Sequence, residues 1–124
     1  MILVDSSGWL EYFAGTPLGN RYAPHIEGKN EILVPTVVLY EVYRWIKRHK
    51  SEEEALKYAG KMGEGHVVAL DDPLAFLAAD LGLEHKLALA DSIVYAAAVH
   101  FKTPLYTSDA DFKGLRLVRY LPKL

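Results

Sequence analysis

Four acids stand out by where they fall. Asp5 ends the apolar run Ile2-Leu3-Val4, and Asp109 follows Leu105-Tyr106 within Thr107-Ser108-Asp109-Ala110-Asp111-Phe112. Asp91 lies in Leu87–Val99, the most apolar stretch of the chain. Glu41 sits at the margin of an amphipathic segment whose apolar face reads Val38, Val42, Trp45 and Ile46. Carboxylates gathered in one place repel each other, and their pKa values rise unless a cation neutralises them. The chain has no cysteine, so thiolate metal sites and cysteine nucleophiles are excluded. An all-oxygen donor set suits Mg2+ or Mn2+, and such ions activate water and stabilise the charge of a phosphoryl transition state.

Each acid also has a plainer explanation. Asp5 can cap the helix that follows it. Glu41 can pair with Arg44 or Arg48 at helical spacing, worth only a few tenths of a kcal/mol. Asp91 can cap a helix that begins near Ser92. Asp109 and Asp111 can bond the backbone of a turn, with Thr107 and Ser108 serving the same turn. Asp71-Asp72-Pro73 is an internal control, because it has the same strand-to-helix grammar as Asp5 and capping explains it fully. Asp91 tips the balance: a helix this apolar is expected to be buried on most sides, where carboxylates are rare unless paired or metal-bound. Ser6 and Ser7 carry hydroxyls that can cap the first helix themselves, which would free Asp5 to face a metal.

The elements that must position these acids alternate along the chain. Strands are expected at Ile2–Val4, Ile32–Val34, Val67–Leu70, Leu105–Tyr106 and, at the edge, Leu115–Val118. Helices are expected from Asp5 to about Phe13, from Pro17 to Glu27, from Pro35-Thr36 to about Lys50, from Ser51 until Gly60, Gly63 and Gly65 break it, from Asp72-Pro73 to about Gly82, and from Ala88 to Phe101. Short apolar strands that do not alternate, separated by helices, predict an α/β fold with a mainly parallel sheet covered on both faces. Ligands in such folds bind beyond the carboxyl ends of the strands, where strand order reverses. Functional residues should therefore follow strands.

A chain of 124 residues is expected to form one domain. Its 51% hydrophobic content can fill a core without disulfide or structural metal. The net charge of −2 counts against a role in non-specific duplex binding. The start, Met-Ile-Leu-Val-Asp, has no basic region and does not read as a signal peptide. No apolar run reaches the ~20 residues that span a bilayer. These features fit a cytosolic protein with no membrane partner.

Four segments in order resemble the PIN-domain ribonucleases, and most closely the VapC-type toxins of prokaryotic toxin–antitoxin pairs. They are Val4-Asp5-Ser6-Ser7, the Pro35-to-Glu41 spacing, Leu89-Ala90-Asp91-Ser92 ahead of Ala96-Ala97-Ala98, and Thr107-Ser108-Asp109-Ala110-Asp111-Phe112. Ser6 stands where threonine is more usual, which keeps the hydroxyl. The resemblance implies a three-layer α/β/α sandwich and an endoribonuclease dependent on Mg2+ or Mn2+. Asp5, Glu41, Asp91 and Asp109 would be catalytic, with Asp5, Asp91 and Asp109 on the metal. Ser6, Ser7, Thr107 and Asp111 would support them, and Arg44 and Arg48 would hold RNA phosphates. The implied partners are RNA, a small antitoxin lying in the active-site groove, and a second copy of the chain. Tyr40, Tyr43 and Trp45 are candidates for antitoxin contact, although core packing explains Trp45 equally well. Two other readings are a PIN nuclease of RNA processing and, from another class, a phosphoacceptor receiver domain. The receiver needs an acidic pair after the first strand, and only Asp5 stands there.

Overall fold

The computed structural model describes residues 1–124. Five short strands, β1 (Ile2–Val4), β2 (Ile32–Pro35), β3 (His66–Val68), β4 (Leu105–Thr107) and β5 (Val118–Tyr120), form one sheet in the order β3-β2-β1-β4-β5. Every pairing is parallel. Two helices follow each of the first three strands: α1 (Ser6–Ala14) and α2 (Pro17–Ile26), α3 (Thr36–His49) and α4 (Glu52–Met62), α5 (Asp72–His85) and α6 (Leu89–His100). A single 3₁₀ turn, Ala110–Phe112, lies between β4 and β5.

Consecutive strand residues point to opposite faces, yet Ile2, Leu3 and Val4 are all buried, as are Leu33 and Val34. Both faces of the sheet are therefore covered, giving the expected α/β/α sandwich. Gly8 brings α1 close to the sheet: a Cβ there would come within 2.5 Å of the Tyr22 ring and 2.9 Å of Val4 Cγ1.

Four expected boundaries shift, each for a physical reason. Helix α4 runs through Gly60 to Met62. Gly60 faces open space, so it costs about 1 kcal/mol of helix propensity, and the buried Ala55 and Met62 on the same helix outweigh it. Strand β3 spans His66–Val68 rather than Val67–Leu70, because its partner β2 ends at Pro35, opposite Val68. Helix α5 continues past Gly82, whose missing side chain lets α6 approach: a Cβ there would lie 3.1 Å from that of Ser92. Strand β5 starts at Val118 rather than Leu115, since the Leu115 N–H closes the preceding turn on Phe112 and Leu117 adopts a left-handed φ of 71°.

Candidate active site

The chain lays down β1, β2 and β3 in one direction across the sheet, then crosses back to place β4 on the other side of β1. The carboxyl ends of β1 and β4 thus flank the point where strand order reverses, the usual ligand crevice of an open parallel sheet. Asp5 directly follows β1, and Thr107, Ser108 and Asp109 end or directly follow β4.

Hydrogen bonds tie the two strand ends together. The Thr107 hydroxyl donates to Asp5 Oδ2 (2.9 Å) and accepts from the Asp109 N–H (3.0 Å). Asp109 Oδ1 accepts from the Asp111 N–H (2.9 Å), setting the 3₁₀ turn. Asp5 Oδ1 accepts from the Ser6 N–H (2.8 Å). The carboxylate of Asp5, not the serine hydroxyls, thus caps α1, contrary to the expectation that Ser6 and Ser7 would release it. The Ser7 hydroxyl oxygen has no partner. Behind β4, the hydroxyls of Ser108 and Tyr22 share a 2.7 Å hydrogen bond. Nothing in the sequence around Tyr22 signals this contact.

Helix α6 begins at Leu89 with Ala88 as an N-cap that makes no side-chain bond. Asp91 is therefore a first-turn residue and not a cap. It is also only half-buried, because in the first turn of α6 only Ser92 is buried while Leu89 is exposed, and the continuous buried run is Val94 to Ala98. Oxygens of Asp91, Asp109 and Asp111 lie within 4.8 Å of one another. The tightest triple thus includes Asp111, which the sequence reading gave a supporting place, and leaves out Asp5 and Glu41. By contrast, the control residue Asp71 caps α5 on the Leu74 N–H (3.0 Å).

All the same, the acids feel one another. Burial, followed by the charges of Asp109, Asp5, Glu41 and Asp111, pushes Asp91 up to about 6. Burial holds Asp5 above the usual carboxylate range, against the bonds from Thr107 and Ser6, and Asp109 adds to the rise. Burial and then the charge of Asp5 raise Glu41, with the Ser6 hydroxyl opposing. Three carboxylates converging within 4.8 Å, Asp91 among them raised by its acidic neighbours, are a donor set fitted to a hard divalent cation.

A pH dependence follows. Asp91 binds its proton more tightly folded than unfolded, so its contribution is favourable below pH 3.8 and is lost as pH rises through about 6. Asp91→Asn should match the metal-free wild type near pH 4 and exceed it in stability at pH 7. Each pKa unit is worth about 1.4 kcal/mol, and partial exposure discounts the sum to about 1 kcal/mol. Chemical denaturation of both proteins in EDTA across this range checks it; a constant difference would show that Asp91 feels no such field.

Glu41 makes no pair with Arg44 or Arg48, since the ion pairs in the chain are Lys47–Glu52 and His85–Glu84. Instead Glu41, Arg44 and Arg48 line a cleft of about 320 Å³ with Ser6, Tyr40 and Trp45. Trp45 is not on the buried face of α3, which consists of Val38, Val42 and Ile46. It is 43% exposed. No helix is long and apolar enough to cross a membrane.

Residues 2–116 match the family model described as PIN domain. No curated protein sequence matches the chain. Among solved structures, it is similar to a chain of a toxin–antitoxin complex from Klebsiella pneumoniae, with a TM-score of 0.80, 20% identity and 96% of each chain covered. It is also similar to a chain of VapBC2 from Rickettsia felis, solved with a fragment of promoter DNA (TM-score 0.75, 15% identity, 98% of each chain). A third is Mycobacterium tuberculosis VapC20, described as a sarcin–ricin loop cleaving toxin; the TM-score is 0.71 at 16% identity, covering 91% of this chain and 92% of that one.

Proposed function

This chain belongs to the PIN-domain family, and from that premise we propose that it is a divalent-metal-dependent endoribonuclease, the toxin of a VapBC-type pair. The convergence of Asp91, Asp109 and Asp111 at the strand-order reversal carries this reading. Those three residues would hold Mg2+ or Mn2+, with Asp5 as a further oxygen donor, since each carboxylate oxygen keeps a lone pair beyond its hydrogen bond. A bound divalent cation would supply charge neutralisation at the scissile phosphate and a more acidic water. Asp5, Glu41, Asp91 and Asp109 are the catalytic set. Glu41 lines the cleft and is held above the usual carboxylate range by burial and the charge of Asp5; in this reading it would orient the attacking water and take its proton. Thr107 holds Asp5 and Asp109 in register, the Ser6 hydroxyl supports Glu41, and Ser7, whose hydroxyl is unpartnered, would support the set from α1.

The similar structures include toxin–antitoxin complexes and a sarcin–ricin loop cleaving toxin, which supports an antitoxin partner and RNA as substrate; a homodimeric toxin is part of the same reading. The purified chain is expected to cut RNA with Mg2+ or Mn2+, leave 5′-phosphate and 3′-hydroxyl ends, and fall silent in EDTA. Cleavage that survives EDTA would remove the metal assignment. Growth arrest on expression, relieved by a co-expressed antitoxin, separates a toxin from a nuclease of RNA processing.

A further inference from the structure

We propose that the cleft on the outer face of α3 seats an unpaired RNA nucleotide beside the phosphate to be cut, with the Trp45 indole as the stacking surface for its base. The proposal rests on the nuclease reading and adds the residue that meets a base, Trp45.

The cleft meets the acids at Glu41, which forms part of its wall and whose charge Asp91 feels. Two large aromatic residues line it yet stay in solvent: Tyr40 is 61% exposed and Trp45 43%. Trp45 is nonetheless held in place. Its ring stacks on His49 with centroids 4.3 Å apart and planes at 19°, and the His49 Nδ1–H donates to the Trp45 carbonyl (2.9 Å). A pre-positioned exposed ring gains little for the fold, but it can bind a base at low entropic cost.

Arg44 and Arg48 complete the surface. Neither guanidinium has a carboxylate partner. They stand three and seven residues beyond Glu41, about 4.5 and 10.5 Å along the helix axis. Unpaired cations interleaved with an aromatic ring on one helix face suit a single strand, with phosphates to the guanidiniums and bases on the ring. A duplex keeps its base faces stacked and offers Trp45 nothing. Aromatic residues and arginine also mark protein interfaces, so a protein is the competing occupant, and the quenching measurement separates it from RNA. The cations also answer a need: a site built of carboxylates repels RNA unless positive charge stands next to it.

The test uses the two tryptophans. Trp9 is 4% exposed, inside the core, so a nucleic acid stacking on the surface quenches Trp45. In EDTA, a short single-stranded RNA of mixed sequence should quench the wild type, and the same RNA annealed to its complement should not. Trp45→Ala should weaken binding about tenfold, the size of one stacked base, and Trp45→Phe should restore most of it. Arg44→Gln with Arg48→Gln should flatten the salt dependence by about two phosphate contacts. Absence of quenching, equal quenching by duplex, or a Trp45→Ala variant that binds and cuts RNA normally would overturn the proposal and leave the nuclease reading standing. The same holds if Trp45→Ala loses only a dimer or antitoxin contact. Quenching and the affinity loss without any cleavage would sink the nuclease reading and keep the RNA cleft.

Discussion

Asp91→Asn should lower metal-dependent RNA cleavage by roughly a hundred- to a thousandfold, the usual cost of losing one preorganised charged group at a reacting centre. Asp91 is the member of the carboxylate triple that comes from α6. The other two share one turn after β4 and approach each other whatever α6 does. Removing the charge of Asp91 leaves two acids where three converged, and an oxygen-seeking cation loses one anionic ligand. The same substitution should not unfold the protein, because at neutral pH it relieves the repulsion that raises Asp91 to about 6. Loss of activity is thus coupled to unchanged or increased stability, a pair of signs that a merely damaged fold cannot produce. Mg2+ or Mn2+ should raise the melting temperature of the wild type by mass action on the folded state. That shift should shrink or vanish in the variant. A variant that still cuts RNA in Mg2+ would remove Asp91 from the catalytic set.

Thr107→Val should be the most destabilising conservative change near the site, costing about 2–4 kcal/mol. Valine keeps the shape and removes a hydroxyl that makes two bonds, one buried and one partly buried. Oδ2 of Asp5 would lose its only donor, and the Asp109 N–H would lose its acceptor. Thr107 is fully buried and Asp5 nearly so, so water does not readily replace either bond. Without the donor Asp5 would hold its proton more tightly still. An acid whose folded pKa lies above its unfolded value loses stability as pH rises through the folded one. The deficit of Thr107→Val should therefore be larger at neutral pH than at the acid end of the carboxylate range. Thr107→Ser, which keeps the hydroxyl, should recover most of the stability and of the cleavage. Urea denaturation of the three proteins at neutral and at acid pH decides it; a valine variant as stable as wild type would mean that the hydroxyl bridge is dispensable.

Much of this arrangement was legible in the sequence because α/β chains place acids by simple grammar. Asp5 and Asp109 follow short apolar runs, and the parallel, doubly covered sheet puts those two strand ends side by side. The Asp71 cap was legible for the same reason. The division of labour at Asp5 was not. Its carboxylate both caps α1 and accepts from Thr107, a bond between residues 102 positions apart that no local pattern records. Asp111 read as a turn residue because its proximity to Asp91 depends on the docking of α6. Trp45 was drawn onto the apolar face by periodicity alone. Val38, Val42 and Ile46, four residues apart, already fill that face, and a large ring one position away falls at its edge.

The pairing of β1 with β4 also sets the order in which the chain can become active. Leu3 pairs with Leu105 and Val4 with Tyr106, so during synthesis β1 waits for a strand made about a hundred residues later. Until then β2 can pair with β1 on one side only, Asp5 has no hydroxyl donor from Thr107, and Asp91 has neither of its companions. A nascent chain that stops short of β4 carries an incomplete set of acids and an open sheet edge. Should the chain cut RNA as proposed, this late closure would keep a growing chain harmless until β4 has been made.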